Sequence, residues 1–178
     1  MGDLKLIHID RGRRLHKGDV LPLDRSGYDG FDYIHMYYPT GISAHGHRWM
    51  FLDSLQKAIS CADSAEEAAR RAGDFLIEQV FEAVRISEYS HCLSRFQAVF
   101  AVANDDIARA KTLLHAPEES RYWQIQCARF EKYDMTWLHS GDFASVYHRA
   151  HMYWQEKASD EPLWEYLCEM PVKIIRSI

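Results

Sequence analysis

The chain has 178 residues, 47% of them apolar and 26% charged, which predicts one soluble globular domain over residues 1–178 with a sizeable core. Its formal net charge of −5 argues against nucleic-acid binding through a broad basic face, although a local basic patch stays open. The first ten residues lack the apolar core of a signal peptide, and no apolar run could span a bilayer. We therefore expect a cytoplasmic protein that does not enter the membrane.

The first half of the chain reads as a strand followed by helices. Residues 4–9 alternate as a strand that carries His8 in an otherwise apolar run, and residues 26–46 form a loop region rich in Gly, Tyr and Pro. Residues 47–60 have helical spacing. Ser64, with Glu67 three residues later, matches the capping box that begins a helix, and a long amphipathic helix follows.

The second half mixes strands and helices. Residues 96–102 read as a strand, and Asn104 is predicted to cap a helix that ends before Pro117. Residues 121–138 predict one long strand or a hairpin, Asp142 caps another helix, and the tail reads as two short strands hinged at 170–171. The pattern predicts an α+β fold: an antiparallel or split sheet with packed helices.

Several familiar sites are absent from the sequence. No glycine-rich G-x-G-x-x-G or P-loop motif occurs, and neither does a nucleophile elbow or an H-E-x-x-H pair. The four cysteines are widely spaced, which favours reduced structural thiols over a zinc site. Two histidine pairs, His45 with His47 and His148 with His151, could each offer two imidazoles to a metal, but neither has an obvious third ligand.

Taken singly, the polar residues on the predicted strands have ordinary structural interpretations. His8 fits a locally hydrogen-bonded core histidine, Glu165 an edge residue, and Arg95 a salt-bridge residue. Their order along the chain is more informative: a strand histidine, then an aromatic strand running into a helix, then a strand glutamate.

That order resembles the ADP-ribosyltransferase superfamily, in which three strands of a split-sheet NAD cleft carry a His or Arg, a Tyr or Ser, and a Glu. "IHIDRGRRLHKGDVLPL" is similar to the family's opening, "QAVFAVANDDIARA" to its middle motif, and "EPLWEYLCEMPVKII" to its closing strands. More narrowly, the chain resembles a small bacterial family of unknown function that is grouped with these transferases. The middle aromatic is Phe100, or Val99 if the register slips, rather than Tyr, and no E-x-E or Q-x-E pair occurs.

The resemblance implies an enzyme that breaks the nicotinamide–ribose bond of NAD and transfers ADP-ribose, with no metal. A strand carboxylate can stabilise the positive ribose carbon of the transition state, and Glu165 is the candidate. His8 would position the cofactor through a ribose hydroxyl. The expected remaining cofactor contacts are stacking by Phe100, Tyr153 and Trp154, and pyrophosphate binding by Arg11 and Arg95 with the neighbouring Ser94.

Three other functions stay open. The cluster of Arg11, Arg13 and Arg14 is compatible with an RNA 2′-phosphotransferase-like enzyme that uses NAD without an essential Glu. A binding module could retain the fold with an inactive pocket, and a metal hydrolase could use His45 and His47. The acceptor of ADP-ribose, whether protein, nucleic acid or small molecule, is not readable from the sequence, and neither are the oligomeric state and a toxin or defence role.

Overall fold

A computed structural model describes residues 4–26 and 32–178, and these form one antiparallel sheet with helices packed on it. The seven strands are β1 (Leu6–Asp10), β2 (Val20–Leu21), β3 (Ala98–Ala103), β4 (Arg121–Gln126), β5 (Phe130–Asp134), β6 (Trp164–Glu169) and β7 (Val172–Ser177). The α-helices are α1 (Asp32–Tyr37), α2 (Ala44–Met50), α3 (Leu52–Ser60), α4 (Ala65–Glu88), α5 (Ile107–Leu113) and α6 (Phe143–Trp154). Short 3₁₀ turns lie at Arg95–Gln97, Asn104–Asp106 and Met135–Trp137.

The sheet consists of two halves that are narrowly joined. Its order is β2-β7-β4-β1-β3-β6-β5, and β1 and β3 at the centre pair only at Leu6 with Ala103 and at Ile7 with Val102. Beyond Ile7, β1 continues against β4, while β3 continues against β6. Hydrogen bonds therefore join all seven strands into one sheet, but the two central strands separate after two residue pairs.

Strand alternation gives the sheet two distinct faces. The face that carries Ala98 and Leu167 packs on α4 and α6 and forms a core that also includes Phe81 and Tyr153. The opposite face forms a second core; its buried members are Leu6, Val99, Ala101, Trp123, Ile125, Tyr166, Cys168, Val172 and Ile174. Successive residues of β3 and β6 thus enter the two cores in turn, so both faces of these strands are buried. This matches their nearly continuous apolar sequences.

Most of the predicted elements are confirmed, and three details are wrong. The α+β class, the first strand, the capped helix after Ser64 and the two tail strands are all present. The region 26–46 is not only a loop, because α1 and the start of α2 lie within it. Residues 121–134 do not form a hairpin, since β4 pairs with β1 and β7 whereas β5 pairs with β6. Asn104 begins a 3₁₀ turn, and α5 starts three residues later without a side-chain cap.

The start of α4 has the predicted Ser64 cap, with the Glu67 carboxylate bound one residue before the cap. The Ser64 hydroxyl accepts a hydrogen bond from the Glu67 backbone N–H at 3.1 Å, and the Glu67 carboxylate accepts one from the Asp63 N–H at 2.9 Å. We expect Ser64→Ala to lower the free energy of unfolding by about 1 kcal/mol, because one orphan N–H of the helix loses its acceptor. Urea unfolding followed by circular dichroism measures this. Ser64→Asp, which still accepts, should cost clearly less; equal losses for the two variants would contradict the capping role.

Among the described residues, no helix combines the length and the apolar character needed to cross a membrane.

Candidate functional site

His8 lies where the two central strands separate. Its Nδ1 atom is 2.8 Å from the carbonyl oxygen of Phe100, which would otherwise lack a cross-strand partner from β1. Because a carbonyl can only accept, Nδ1 carries the proton and Nε2 keeps a lone pair. Burial is the largest influence on the pKa of His8 and lowers it, so the ring is neutral at physiological pH. The partly buried His8 side chain therefore presents a hydrogen-bond acceptor at the gap between β1 and β3.

The sheet places His8 and Glu165 on opposite faces. His8 is the cross-strand partner of Trp123 and follows Leu6 by two residues, so it shares their face. Glu165 pairs with Val102 and Tyr133, which pack on the helix side. The expectation that His8 and Glu165 line one crevice together is therefore wrong for this arrangement of the strands.

The charged turn after β1 is held by Asp10. Its carboxylate accepts a hydrogen bond from the Leu15 backbone N–H at 3.0 Å, and this contact closes the turn that carries Arg11. Arg11 is exposed, and its Nη1 donates to the carbonyl of Leu114 at 3.4 Å. Desolvation first, and then the nearby guanidinium of Arg48, lower the pKa of Arg11, while Asp74 raises it. Arg11 therefore experiences charges of both signs, from Arg48 on α2 and from Asp74 on α4.

Arg95 is the centre of a buried ion-pair network. It binds Glu78 in a bidentate manner, with Nε to Oε2 at 2.9 Å and Nη2 to Oε1 at 2.8 Å. Its Nη1 contacts Glu165 at 2.6 Å and the Tyr153 hydroxyl at 2.7 Å, and Tyr153 donates to the same Glu165 oxygen at 2.7 Å. These contacts use four of the donors on Arg95. The predicted binding of pyrophosphate by Arg95 would require this network to open.

The network keeps its charges. Burial raises the pKa of Glu78, but the charges of Arg95 and His45 outweigh that effect and hold it well below its usual range. Burial lowers the pKa of Arg95, and the two carboxylates reverse this and raise it well above its usual range. Burial is also the main reason that the pKa of Tyr153 lies well above its ordinary value. Arg95 and Glu78 are therefore charged, and Tyr153 neutral, over the whole physiological pH range.

Phe100 separates the gap from the network. Its ring centroid is 4.5 Å from that of His45, and the Arg95 guanidinium lies over the same ring at 4.7 Å. The backbone carbonyl of Phe100 contacts His8. Val99 belongs to the opposite face, so Phe100 is the aromatic residue of this strand that faces the helices.

The other predicted cofactor contacts lie in the core. Tyr153 is fully buried, and its ring stacks on Tyr133 with centroids 4.6 Å apart. Trp154 is buried and donates from Nε1 to the Phe81 carbonyl at 2.8 Å. Ser94 is buried as well and caps the Arg95–Gln97 turn. None of the three is open to a dinucleotide in this conformation.

The two histidine pairs, His45 with His47 and His148 with His151, each lie on a helix. His45 and His47 lie on α2 two residues apart, which directs them to different sides of the helix. His45 Nε2 is 3.1 Å from Glu78, and His47 Nε2 is 3.6 Å from Asp24. His151 contacts the Tyr89 hydroxyl at 3.0 Å, and the described residues hold no group of three or more potential metal ligands. No third ligand therefore joins either pair within the part of the chain that the structure describes.

Three charged residues are buried on α4, which the sequence pattern does not predict. Glu78, Glu82 and Arg85 are all buried, and their spacing of four and three residues places them on one side of the helix. That spacing is visible in the sequence. A charged stripe on a helix is ordinarily its solvent face, however, so the pattern alone predicts exposure.

The fold and this site define an α+β protein with a narrowly joined antiparallel sheet, a gap at its centre and a buried ion-pair network behind one of its strands. Residues 6–178 match the family model described as a protein of unknown function, DUF2441, and the chain belongs to that family. The search among curated proteins gives no match.

Proposed function

We propose that the protein is an NAD-dependent, ADP-ribosyltransferase-like enzyme that binds its dinucleotide along the gap between β1 and β3. The observation that supports this most is the separation of β1 from β3 at His8, with the imidazole fixed on the Phe100 carbonyl. A sheet that opens at its centre offers a binding crevice without a glycine-rich loop. The sequence resemblance described above supplies the choice of NAD.

The residues of the gap suit a dinucleotide in two ways. His8 Nε2 can only accept a hydrogen bond, so its natural partner is a hydroxyl of ribose. Arg11 is exposed on the turn that directly follows β1, where its fork of donors could hold the pyrophosphate. In this proposal His8 orients the sugar and transfers no proton.

The transfer step requires a carboxylate beside the ribose. Cleavage of the nicotinamide–ribose bond develops positive charge on the ribose carbon, which a carboxylate would stabilise. Glu165 is only 4% exposed, is paired with Arg95, and lies on the opposite face of the sheet from His8. For Glu165 to act on a ribose bound by His8, its ion pair would have to open and the strands around the gap would have to move.

The ion pair of Glu165 favours a second candidate, a module that binds NAD without turnover. In that case the network on Arg95 stabilises the fold, and only the gap residues contact the ligand. The basic residues around Arg11 are compatible with the phosphotransferase-like alternative, which needs no carboxylate. Release of nicotinamide distinguishes the enzymes from the module.

We expect isothermal titration calorimetry to detect NAD binding, and His8→Ala to weaken it about tenfold through loss of one buried hydrogen bond. Because the pKa of His8 is lowered from its ordinary value, the acceptor stays neutral and the affinity should change little between pH 7 and pH 8. Nicotinamide release, followed by chromatography of the same samples, tests turnover.

His16→Ala is the matched control, because the His16 side chain is 76% exposed and lies outside the gap. It should bind NAD as the wild type does. Absence of NAD binding by the wild-type protein at millimolar concentration would refute the proposed function. Binding without nicotinamide release would select the module.

A further inference from the structure

A second hollow lies on the helix side of the molecule, away from the gap at His8. It measures about 250 Å³ and is bounded by α1, α2, α4 and the Arg95–Gln97 turn. Most of its wall is apolar, formed by Ile34, Tyr38, Met50, Ile86 and Phe96. One charged side chain, that of Glu82, also lines it.

The two oxygens of the Glu82 carboxylate have different surroundings. Oε1 accepts hydrogen bonds from the Tyr38 hydroxyl at 2.9 Å, from the Ser94 hydroxyl at 2.7 Å, and from Nε and Nη2 of Arg85 at 3.0 and 2.8 Å. Oε2 is buried and has no hydrogen-bond partner among the described residues. The whole residue is only 3% exposed.

An acceptor in this position points to a ligand that donates a hydrogen bond. A buried carboxylate oxygen without a partner has lost its water and gained nothing in return, which is unfavourable. Arg85 already neutralises the charge of Glu82, so the missing partner does not have to be a second cation. A neutral N–H or O–H group would satisfy Oε2 once the Glu82 carboxylate turns toward the hollow, and the apolar wall would take the rest of the molecule.

We propose that this hollow binds a small aromatic molecule that carries one neutral hydrogen-bond donor, of the chemical class of indoles and phenols. Its size is sufficient, since an apolar cavity of about 150 Å³ accepts benzene. An adjoining hollow of about 450 Å³ shares Tyr37 and Ile86 with it and is lined by Arg85 and Arg129, which gives room for a polar substituent.

This site is independent of the proposed NAD function. Its central residue, Glu82, contacts neither His8 nor Arg95, and its charged partner is Arg85. The two proposals can therefore fail separately.

The test compares indole with 1-methylindole, which keeps the same ring system but carries a methyl group in place of the N–H hydrogen. Ligand-observed NMR titrations on the full-length protein should show indole binding about tenfold more tightly than 1-methylindole, the effect of one hydrogen bond to a buried carboxylate. Equal binding of the two would overturn the role of Glu82. Binding of neither would mean that the hollow holds only water, which also overturns the proposal.

Two variants locate the binding. Glu82→Gln exchanges one carboxylate oxygen for an amide nitrogen, and it should remove the preference for indole over 1-methylindole. Because that change also weakens the contact to Arg85, Ala83→Trp is the second variant; Ala83 lines the hollow from an exposed position on α4, and the larger side chain should block both ligands. Unchanged indole binding by Ala83→Trp would place the ligand elsewhere and refute the site.

Discussion

Replacing Arg95 with methionine is expected to lower the free energy of unfolding by about 3–5 kcal/mol, the usual loss when one partner of a buried ion pair is removed. Arg95 is 3% exposed and pairs with both Glu78 and Glu165, so its loss leaves two carboxylates without their cation. Urea unfolding followed by tryptophan fluorescence measures the change. A loss below about 1 kcal/mol would show that the network contributes little to stability.

A combined variant separates the ion pair from the packing around it. Arg95→Met together with Glu78→Leu, Glu165→Leu and Tyr153→Phe removes the guanidinium, both carboxylates and the hydroxyl bound to them, and should recover most of the lost stability. If the combined variant is as unstable as Arg95→Met alone, the loss comes from packing and not from unpaired charge. Because folding lowers the pKa of Glu78, the ionised carboxylate contributes to the free energy of unfolding at neutral pH. That contribution is lost only as the pH falls below about 4.5.

Replacing Gly46 with alanine is expected to lower the free energy of unfolding by about 2 kcal/mol. A Cβ atom there would lie 2.4 Å from the Phe96 carbonyl oxygen and 2.9 Å from Ile42 Cβ. The same carbonyl accepts the hydrogen bond from the Ser43 N–H at 2.8 Å that fixes the start of α2. Crowding of this kind costs up to about 3 kcal/mol, against about 1 kcal/mol gained from the better helix propensity of alanine.

Gly12→Ala is the control for this prediction. A Cβ at Gly12 would meet nothing nearer than 3.7 Å, so the stability should stay within about 0.5 kcal/mol of the wild type. Thermal unfolding of the two variants under the same conditions gives the comparison. Equal stability of both variants would mean that α2 can move away from the Arg95–Gln97 turn without loss.

The local chemistry of individual elements could be predicted well. Ser64 and Glu67 mark the start of α4 because a capping box involves only backbone groups within one turn. Asp142 caps α6 for the same reason, and its carboxylate accepts from the Ser145 N–H at 3.0 Å. The prediction that Asn104 caps a helix is wrong because Asn104 begins a 3₁₀ turn, and α5 starts only at Ile107.

The candidate site could be predicted only in part. His8 was correctly placed on the first strand, and Glu165 on a strand near the end of the chain. Their opposite faces depend on how β1, β3 and β6 align, and that register comes from pairing between residues far apart in sequence. A shift of one residue along either strand would have placed the two side chains on the same face of the sheet.

By itself, the sequence determined most of the segments that are helix or strand and which residues share a side of each element, because backbone periodicity and capping act over a few residues. Only the tertiary structure decided which side is buried and what it contacts. Glu78, Glu82 and Arg85 are buried because the network on Arg95, the hydroxyls of Tyr38 and Ser94, and the packed sheet surround them. A charged residue can be buried when partners brought from distant parts of the chain replace its water, and those partners meet only once the sheet and helices have packed.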